Sequence, residues 1–145
     1  MRVLPVKIMT PGAQVPARKT DGSVGYDITA CLSGDVVIPP GETRRIGSGV
    51  AIALPPGHTA FIYARSGLGI SHGIVPANCV GVIDPDYRGE IIVGLRNMSG
   101  QPFTVGNGDR IAQMVIGKCE LPELVVKDEL GDTPRGDGGF GSTGE

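Results

Sequence analysis

Short β-branched runs alternate with tight-turn signals along nearly the whole chain, and this alternation limits the folds open to it. Pro39-Pro40-Gly41, Pro55-Pro56-Gly57, Ser99-Gly100-Gln101-Pro102 and Gly106-Asn107-Gly108-Asp109 separate apolar runs at 35–38, 50–54, 58–64 and 103–105. Turns recur about every ten residues, the spacing of a β-sandwich or barrel. Val and Ile outnumber Leu and Ala, which favours strands over helices. The 24 Gly and 12 Pro would alone hint at disorder, but the apolar runs between them argue for strands joined by turns. A chain of 145 residues is one domain with room for a core. The expected class is all-β.

Residues 2–9 read as an edge strand, because Pro5 cannot donate to a central ladder. Residues 10–23 are a polar loop, and residues 24–30 a strand carrying one carboxylate, Asp27. Residues 43–54 form a strand interrupted at Gly47-Ser48-Gly49. Residues 74–83 and 88–97 are the arms of a hairpin whose mouth is Asp84-Pro85-Asp86, with Tyr87 and Arg88 beside it. Residues 110–116 alternate, with Ile111, Met114 and Ile116 on the core side. Residues 121–126 are the last strand, which Pro122 places at an edge or a subunit junction.

The net charge of −2 and pI near 5.7 leave no nucleic-acid footprint, though a local basic site remains open. No apolar run is long enough for a membrane span, and no signal peptide is expected. Cys31, Cys79 and Cys119 are odd in number and scattered, as expected of reduced core or interface thiols in a cytosolic-type compartment. His58 and His72 lack metal-ligand spacing, so no protein-ligated zinc is expected.

Four stretches carry chemistry, and each has a plainer reading beside it. A hairpin from Gly81 to Glu90 would offer main-chain donors and acceptors to a flat ligand and place Asp84 next to it; it is otherwise an ordinary exposed turn. Arg65-Ser66-Gly67 reads as a strand end with Ser66 as N-cap of one helical turn at 67–71, where free N–H groups and the Arg65 fork suit an anion; a plain capped turn is the alternative. Gln113, polar amid apolar neighbours, is either a paired amide or a ligand contact. The tail at 131–145 sets Arg135, Phe140, Ser142 and Thr143 among glycines, a composition that can wrap phosphates and stack a ring; an unstructured tail is the alternative. It is not a Walker A loop, which would end Gly-Lys-Ser/Thr.

In this order the pieces resemble the trimeric dUTPase family. Gly25-Tyr26-Asp27 is similar to its first motif, Arg65-Ser66-Gly67 to the second, and Gly81 through Glu90 to the third. Gly108-Asp109-Arg110-Ile111-Ala112-Gln113 is similar to the fourth, and Arg135 with Gly138-Gly139-Phe140-Gly141-Ser142-Thr143-Gly144 to the fifth. Two positions depart: Val24 stands for a usual Ala, and Ala64 for a usual Pro. The resemblance implies a jelly-roll-like β-barrel at 1–130 with a flexible Gly-rich tail at 131–145, in a cytoplasmic homotrimer with shared active sites. It implies hydrolysis of dUTP to dUMP and pyrophosphate with Mg²⁺, with Asp84 as the base that activates water. Arg65, Ser66, Gly67 and Gln113 would hold phosphates, as would Arg135, Gly141, Ser142 and Thr143 from the tail. Asn78 and the main chain at Gly81 and Ile83 would read uracil, Tyr87 would bar a 2′-OH, and Phe140 would stack on the base. Asp27 would reach the metal through water. The alternatives are a related dCTP deaminase, which needs a catalytic Glu near the hairpin where the apolar run Ile91-Ile92-Val93 leaves only Glu90, a poor candidate, and a non-catalytic nucleotide-binding regulator. No nucleic-acid or membrane partner is implied.

Overall fold

A computed structural model of the chain describes residues 3–139. The β-branched runs become strands: β1 (Val6–Ile8), β2 (Tyr26–Thr29), β3 (Val36–Ile38), β4 (Thr43–Gly47), β5 (Val50–Ile52) and β6 (His58–Tyr63). A helix α1 (Ser66–His72) follows, then β7 (Ile74–Pro76), β8 (Gly81–Ile83), β9 (Ile92–Asn97), β10 (Phe103–Val105) and β11 (Arg110–Lys118). The pairings are β1 with β5, β3 with β10, a sheet in the order β2-β11-β6-β8, and another in the order β4-β9-β7. Every pair is antiparallel. Together they make a jelly-roll-like all-β fold, as the turn spacing and the resemblance require.

Ile28, Ile38, Ile46, Ile74, Leu95, Ile111 and Met114 are fully buried between the sheets. Each such side chain contributes roughly 1.5–3 kcal/mol of burial. Two buried polar residues close the core's seams. Asn97 donates to the carbonyls of Ile38 (2.9 Å) and Gln101 (2.7 Å) and accepts from Ser99, so it ties down the turn after β9. Thr59 donates its hydroxyl to the Ile83 carbonyl at 2.9 Å, which fixes the end of β8.

Ile111 and Met114 are three residues apart, which strict alternation would send to opposite faces. A bulge between Arg110 and Ala112 resolves this. Arg110 lies opposite Thr29 but Ala112 lies opposite Ile28, and the extra residue Ile111 is buried beside Ala112.

Two expectations need correction. The arms around Asp84 do not form one hairpin. β8 pairs with β6, whereas β9 lies between β4 and β7 in another sheet. Only the start of the first arm meets the second, through β7. The chain from Asp84 to Ile91 therefore crosses between sheets. Residues 121–126 are no strand, and among the described residues no segment pairs with them. Leu121, Leu124, Val125 and Val126 stand 67–96% exposed. Of the three free cysteines, Cys31 and Cys119 are part-buried rather than in the core, and Cys79 is exposed at a turn with φ of 63°.

Candidate active site

β11 sits between β2 and β6, and Gln113 is paired with Asp27 on one side and Tyr63 on the other. Cross-strand partners share a sheet face, so Gln113 and Asp27 lie side by side, while Ile28, Ile62 and Met114 face the core. Arg65 follows two residues after β6 ends and comes to the same place. The Asp27 carboxylate accepts from Arg65 Nε at 2.9 Å through Oδ1 and from Arg110 NH1 at 3.1 Å through Oδ2. Arg110 lies opposite Thr29, which shares a face with Asp27, so its long side chain reaches the carboxylate along the diagonal. Arg65 NH1 donates to the Arg110 carbonyl at 3.2 Å, so two of its nitrogens are committed and NH2 is left for another acceptor.

Gln113 Nε2 donates to the Ala64 carbonyl at 2.9 Å, and a Cβ at Gly25 would lie 2.6 Å from Gln113 Oε1. The amide is thus paired, and it tucks against a residue that must lack a side chain. These groups border a cavity of about 340 Å³ with Ser66, Lys19 and Val24 on its wall. Three cations, Lys19, Arg65 and Arg110, face it against one carboxylate, Asp27. Such an excess favours a polyanion. Ser66 is not the N-cap: the helix begins at Ser66 itself, Arg65 holds the cap position, and no side chain caps it. The Ser66 hydroxyl makes no hydrogen bond within the described structure. Gly67 adjoins it, with open space where a Cβ would be.

A second cavity, of about 450 Å³, lies where β8 passes into the crossing loop. Its wall includes Asn78, Gly81, Ile83, Asp84, Tyr87 and Glu90. β8 ends its sheet, so one edge of its main chain lacks a strand partner and can bond a flat ligand. Gly81 backs onto β6; a Cβ there would crowd Ile62 Cβ at 3.1 Å. Asp84 is exposed at the cavity lip. Its main chain is held on both sides, by the Thr59–Ile83 bond and by Tyr87 N–H donating to the Asp84 carbonyl at 3.2 Å. The Tyr87 hydroxyl donates to the Glu90 carbonyl at 3.0 Å, and the phenol ring occupies the space that a side chain at Gly89 would need. Glu90 serves the scaffold, since its Oε1 accepts from Gly49 N–H at 2.7 Å in a gap left by side-chain-free Gly47.

The structure therefore brings Asp27, Arg65, Ser66 and Gln113 to one cavity, with Gly67 next to Ser66 in the helix but not on the wall, and Asn78, Gly81, Ile83, Asp84 and Tyr87 to the other. The two walls have no residue in common. Arg135 lies at neither. Its Nε donates to the Gly138 carbonyl at 2.9 Å in a local turn. The expected contacts of Phe140, Gly141, Ser142 and Thr143 lie outside the described residues. Arg110, Lys19 and Thr59 were not singled out from the sequence. Only Arg110 carried a signal, as part of Gly108-Asp109-Arg110.

The dUTPase family profile matches residues 12–144. The chain belongs to the dUTPase family. A deoxyuridine 5′-triphosphate nucleotidohydrolase of Hahella chejuensis is 50% identical over 131 residues, covering 90% of this chain and 86% of that protein. One from Desulfitobacterium hafniense is 48% identical over 132 residues, covering 90% and 87%. Among solved structures, the Staphylococcus bacteriophage 80alpha dUTPase with dUPNHPP superposes with a TM-score of 0.91 at 27% identity, covering all of both chains. A variant dUTPase of the S. aureus phage phi11, whose structure concerns the coordination of a structural Mg(II) ion, matches with a TM-score of 0.80 at 25% identity, covering 88% of this chain and 98% of that one. The two departures from the family pattern are accommodated. Val24 is 75% exposed, and Ala64 supplies the carbonyl that holds Gln113.

Proposed function

We propose that this dUTPase-family chain hydrolyses dUTP to dUMP and pyrophosphate. The observation that carries the reading is Asp84, held by its main chain at the lip of the cavity that Asn78, Gly81, Ile83 and Tyr87 line. Asp84 takes a proton from a water aligned with the α-phosphorus. The water oxygen bonds to that phosphorus, the bond to the α,β-bridging oxygen breaks, and pyrophosphate leaves with the bonding pair. Asn78 and the free edge of β8 at Gly81 and Ile83 pair with uracil, and Tyr87 lies under the sugar where a 2′-OH would go. Arg65 NH2, Ser66, Gly67 and Gln113 hold the phosphates; positioned donors of this kind stabilise charge that spreads in the transition state.

Among the described residues no three His, Cys, Asp or Glu side chains converge on a metal position. Both Asp27 oxygens already accept from arginines, so the donor set fits a hydrated Mg²⁺ held by phosphate oxygens and touched by Asp27 through water only. The ion supplies charge neutralisation to the triphosphate.

The active form is a homotrimer. Separate cavities for nucleoside and phosphates support a site completed across subunits, and the uncovered apolar residues from Leu121 to Val126 support a subunit contact. Residues 1–130 form the barrel domain. The tail at 131–145 crosses to a neighbour, where Arg135, Gly141, Ser142 and Thr143 close on the phosphates and Phe140 stacks on the base. Among the described residues no helix is long and apolar enough to cross a membrane. The working compartment is the cytoplasm, and neither nucleic acid nor membrane is a partner.

Glu90 weighs against the deaminase alternative, since it is bound to the Gly49 main chain. One assay separates the readings: pyrophosphate and ammonia release from dUTP, dCTP, dTTP and UTP with Mg²⁺. Pyrophosphate from dUTP in preference to the others is expected. Ammonia from dCTP, or no turnover of any nucleotide, would overturn the assignment.

A further inference from the structure

The loop before β2 carries two adjacent cations, and the fold uses them differently. Arg18 is spent inside the loop. Its NH1 donates to the carbonyls of Asp21 (2.8 Å) and Ser23 (3.3 Å), and its guanidinium lies 6.0 Å from the centroid of the Tyr26 ring. Lys19 is exposed and makes no hydrogen bond or ion pair among the described residues.

The backbone that presents Lys19 is anchored on both sides. Before it, Asp27 N–H donates to the Ala17 carbonyl at 2.8 Å. After it, Thr20 and Ser23 bond each other through the Thr20 N–H to Ser23 Oγ (3.2 Å), hydroxyl to hydroxyl (2.8 Å) and the Ser23 N–H to the Thr20 carbonyl (3.1 Å). Lys19 borders the phosphate cavity of Arg65, Ser66 and Gln113, and also an adjoining hollow of about 290 Å³ that shares Asp27 and Arg110. It stands on the ridge between them. Both oxygens of Asp27 are taken by Arg65 and Arg110, so Lys19 has no carboxylate to neutralise it there. An unpaired ammonium on an anchored loop, beside two arginines that share one carboxylate, is placed for a highly charged anion.

We propose that Lys19 is a further phosphate-binding residue, one that takes the terminal phosphates of the nucleotide and then the departing pyrophosphate. This rests on the reading of the site as one that splits a nucleoside triphosphate. The side chain is exposed and bonds to no other described residue, so its replacement leaves the fold intact.

The test compares the full chain with Lys19→Gln and Lys19→Arg, all with Mg²⁺. In Lys19→Gln, KM for dUTP and the inhibition constant of pyrophosphate should rise together by about 5–30-fold, which is roughly 1–2 kcal/mol. The kcat should stay within about twofold, because binding is lost and not chemistry. Affinity for dUMP, which lacks the terminal phosphates, should be unchanged, and Lys19→Arg should recover most of the loss. Unchanged KM and pyrophosphate inhibition in Lys19→Gln would reduce Lys19 to a solvated surface residue. An equal loss for dUMP would also overturn the assignment, since the effect would not be on the terminal phosphates. If the native chain released no pyrophosphate from dUTP, the functional reading would fall, and titration with magnesium pyrophosphate would still judge Lys19. Weaker binding by Lys19→Gln supports it; equal binding, or none by either protein, refutes it.

Discussion

Asp27 accepts from two guanidinium groups at once, and this determines how Arg65 can be used. With Nε on Asp27 and NH1 on the Arg110 carbonyl, Arg65 is locked in one orientation before any ligand arrives. The ion pair is only part-buried, so its Coulombic worth is discounted, and its value lies in geometry. Asp27→Asn keeps the shape but gives up an acceptor and the charge. We expect it to weaken binding of a non-hydrolysable dUTP analogue by about tenfold, the scale of one lost charge-assisted contact. Calorimetry with and without Mg²⁺ separates the two roles proposed for Asp27. A loss that persists without metal reports the orientation of Arg65; one that vanishes reports the water-mediated metal contact. In the proposed mechanism Asp84 acts on the reacting water and not on another side chain. Asp84→Asn should cut pyrophosphate release by about 10²–10⁴-fold, the usual cost of a lost general base, while analogue affinity holds. Near-native turnover in that variant would remove Asp84 from the chemistry.

At the scale of elements, Thr59 does for Asp84 what Asp27 does for Arg65. It is buried in β6, and its hydroxyl holds the Ile83 carbonyl immediately before Asp84. Thr59→Val keeps volume and β-branching but leaves a buried carbonyl without its partner. The expected cost is about 1–3 kcal/mol in chemical denaturation. As a positioning residue, Thr59 should also show a fall in kcat that exceeds any change in analogue affinity, with Thr59→Ser recovering it. Equal kcat in native and Val forms at a lowered stability would make Thr59 purely structural. Thr59 also shows where the sequence ceased to be legible. The β-branched runs and Pro-Gly turns disclosed most strands, because period and punctuation are local signals. The partners of β8 and β9 were misread, because an Asp-Pro-Asp turn between apolar runs looks the same whether the runs pair or diverge into two sheets. The bulge beside Arg110 was hidden as well; Ile111 and Met114 both looked like core, and only their spacing betrayed the extra residue. Motif residues such as Gln113 and Asp27 could be placed by order along the chain. Lys19, Thr59 and the anchoring of Glu90 depend on contacts between distant segments, for which a single sequence carries no sign.

At the scale of the whole molecule, the chain leaves two things unfinished. The cavity of Asp84 and the cavity of Arg65 are walled separately, and Leu121, Leu124, Val125, Val126 and Leu130 lie 67–96% exposed along a segment with no strand partner among the described residues. Five large apolar side chains left exposed within residues 121–130 favour an interface over a free surface. The proposed cyclic trimer would account for both, with Asp84 from one subunit and the tail from another in each site. Mixing two inactive forms tests this arrangement. One form is Asp84→Asn with its tail intact, and the other is truncated after Leu130 with Asp84 intact. After subunit exchange at equal amounts, every trimer with both kinds of chain contains one position where a native Asp84 meets a neighbour's tail. Random assembly then restores roughly a quarter of native activity, because a site needs one particular chain type at each of two positions. If Asp84 and the tail of the same chain served one site, no mixed trimer would contain a complete one. Activity near zero after exchange has been verified by mass spectrometry would therefore assign each site to a single chain, and recovery would establish that subunits share them.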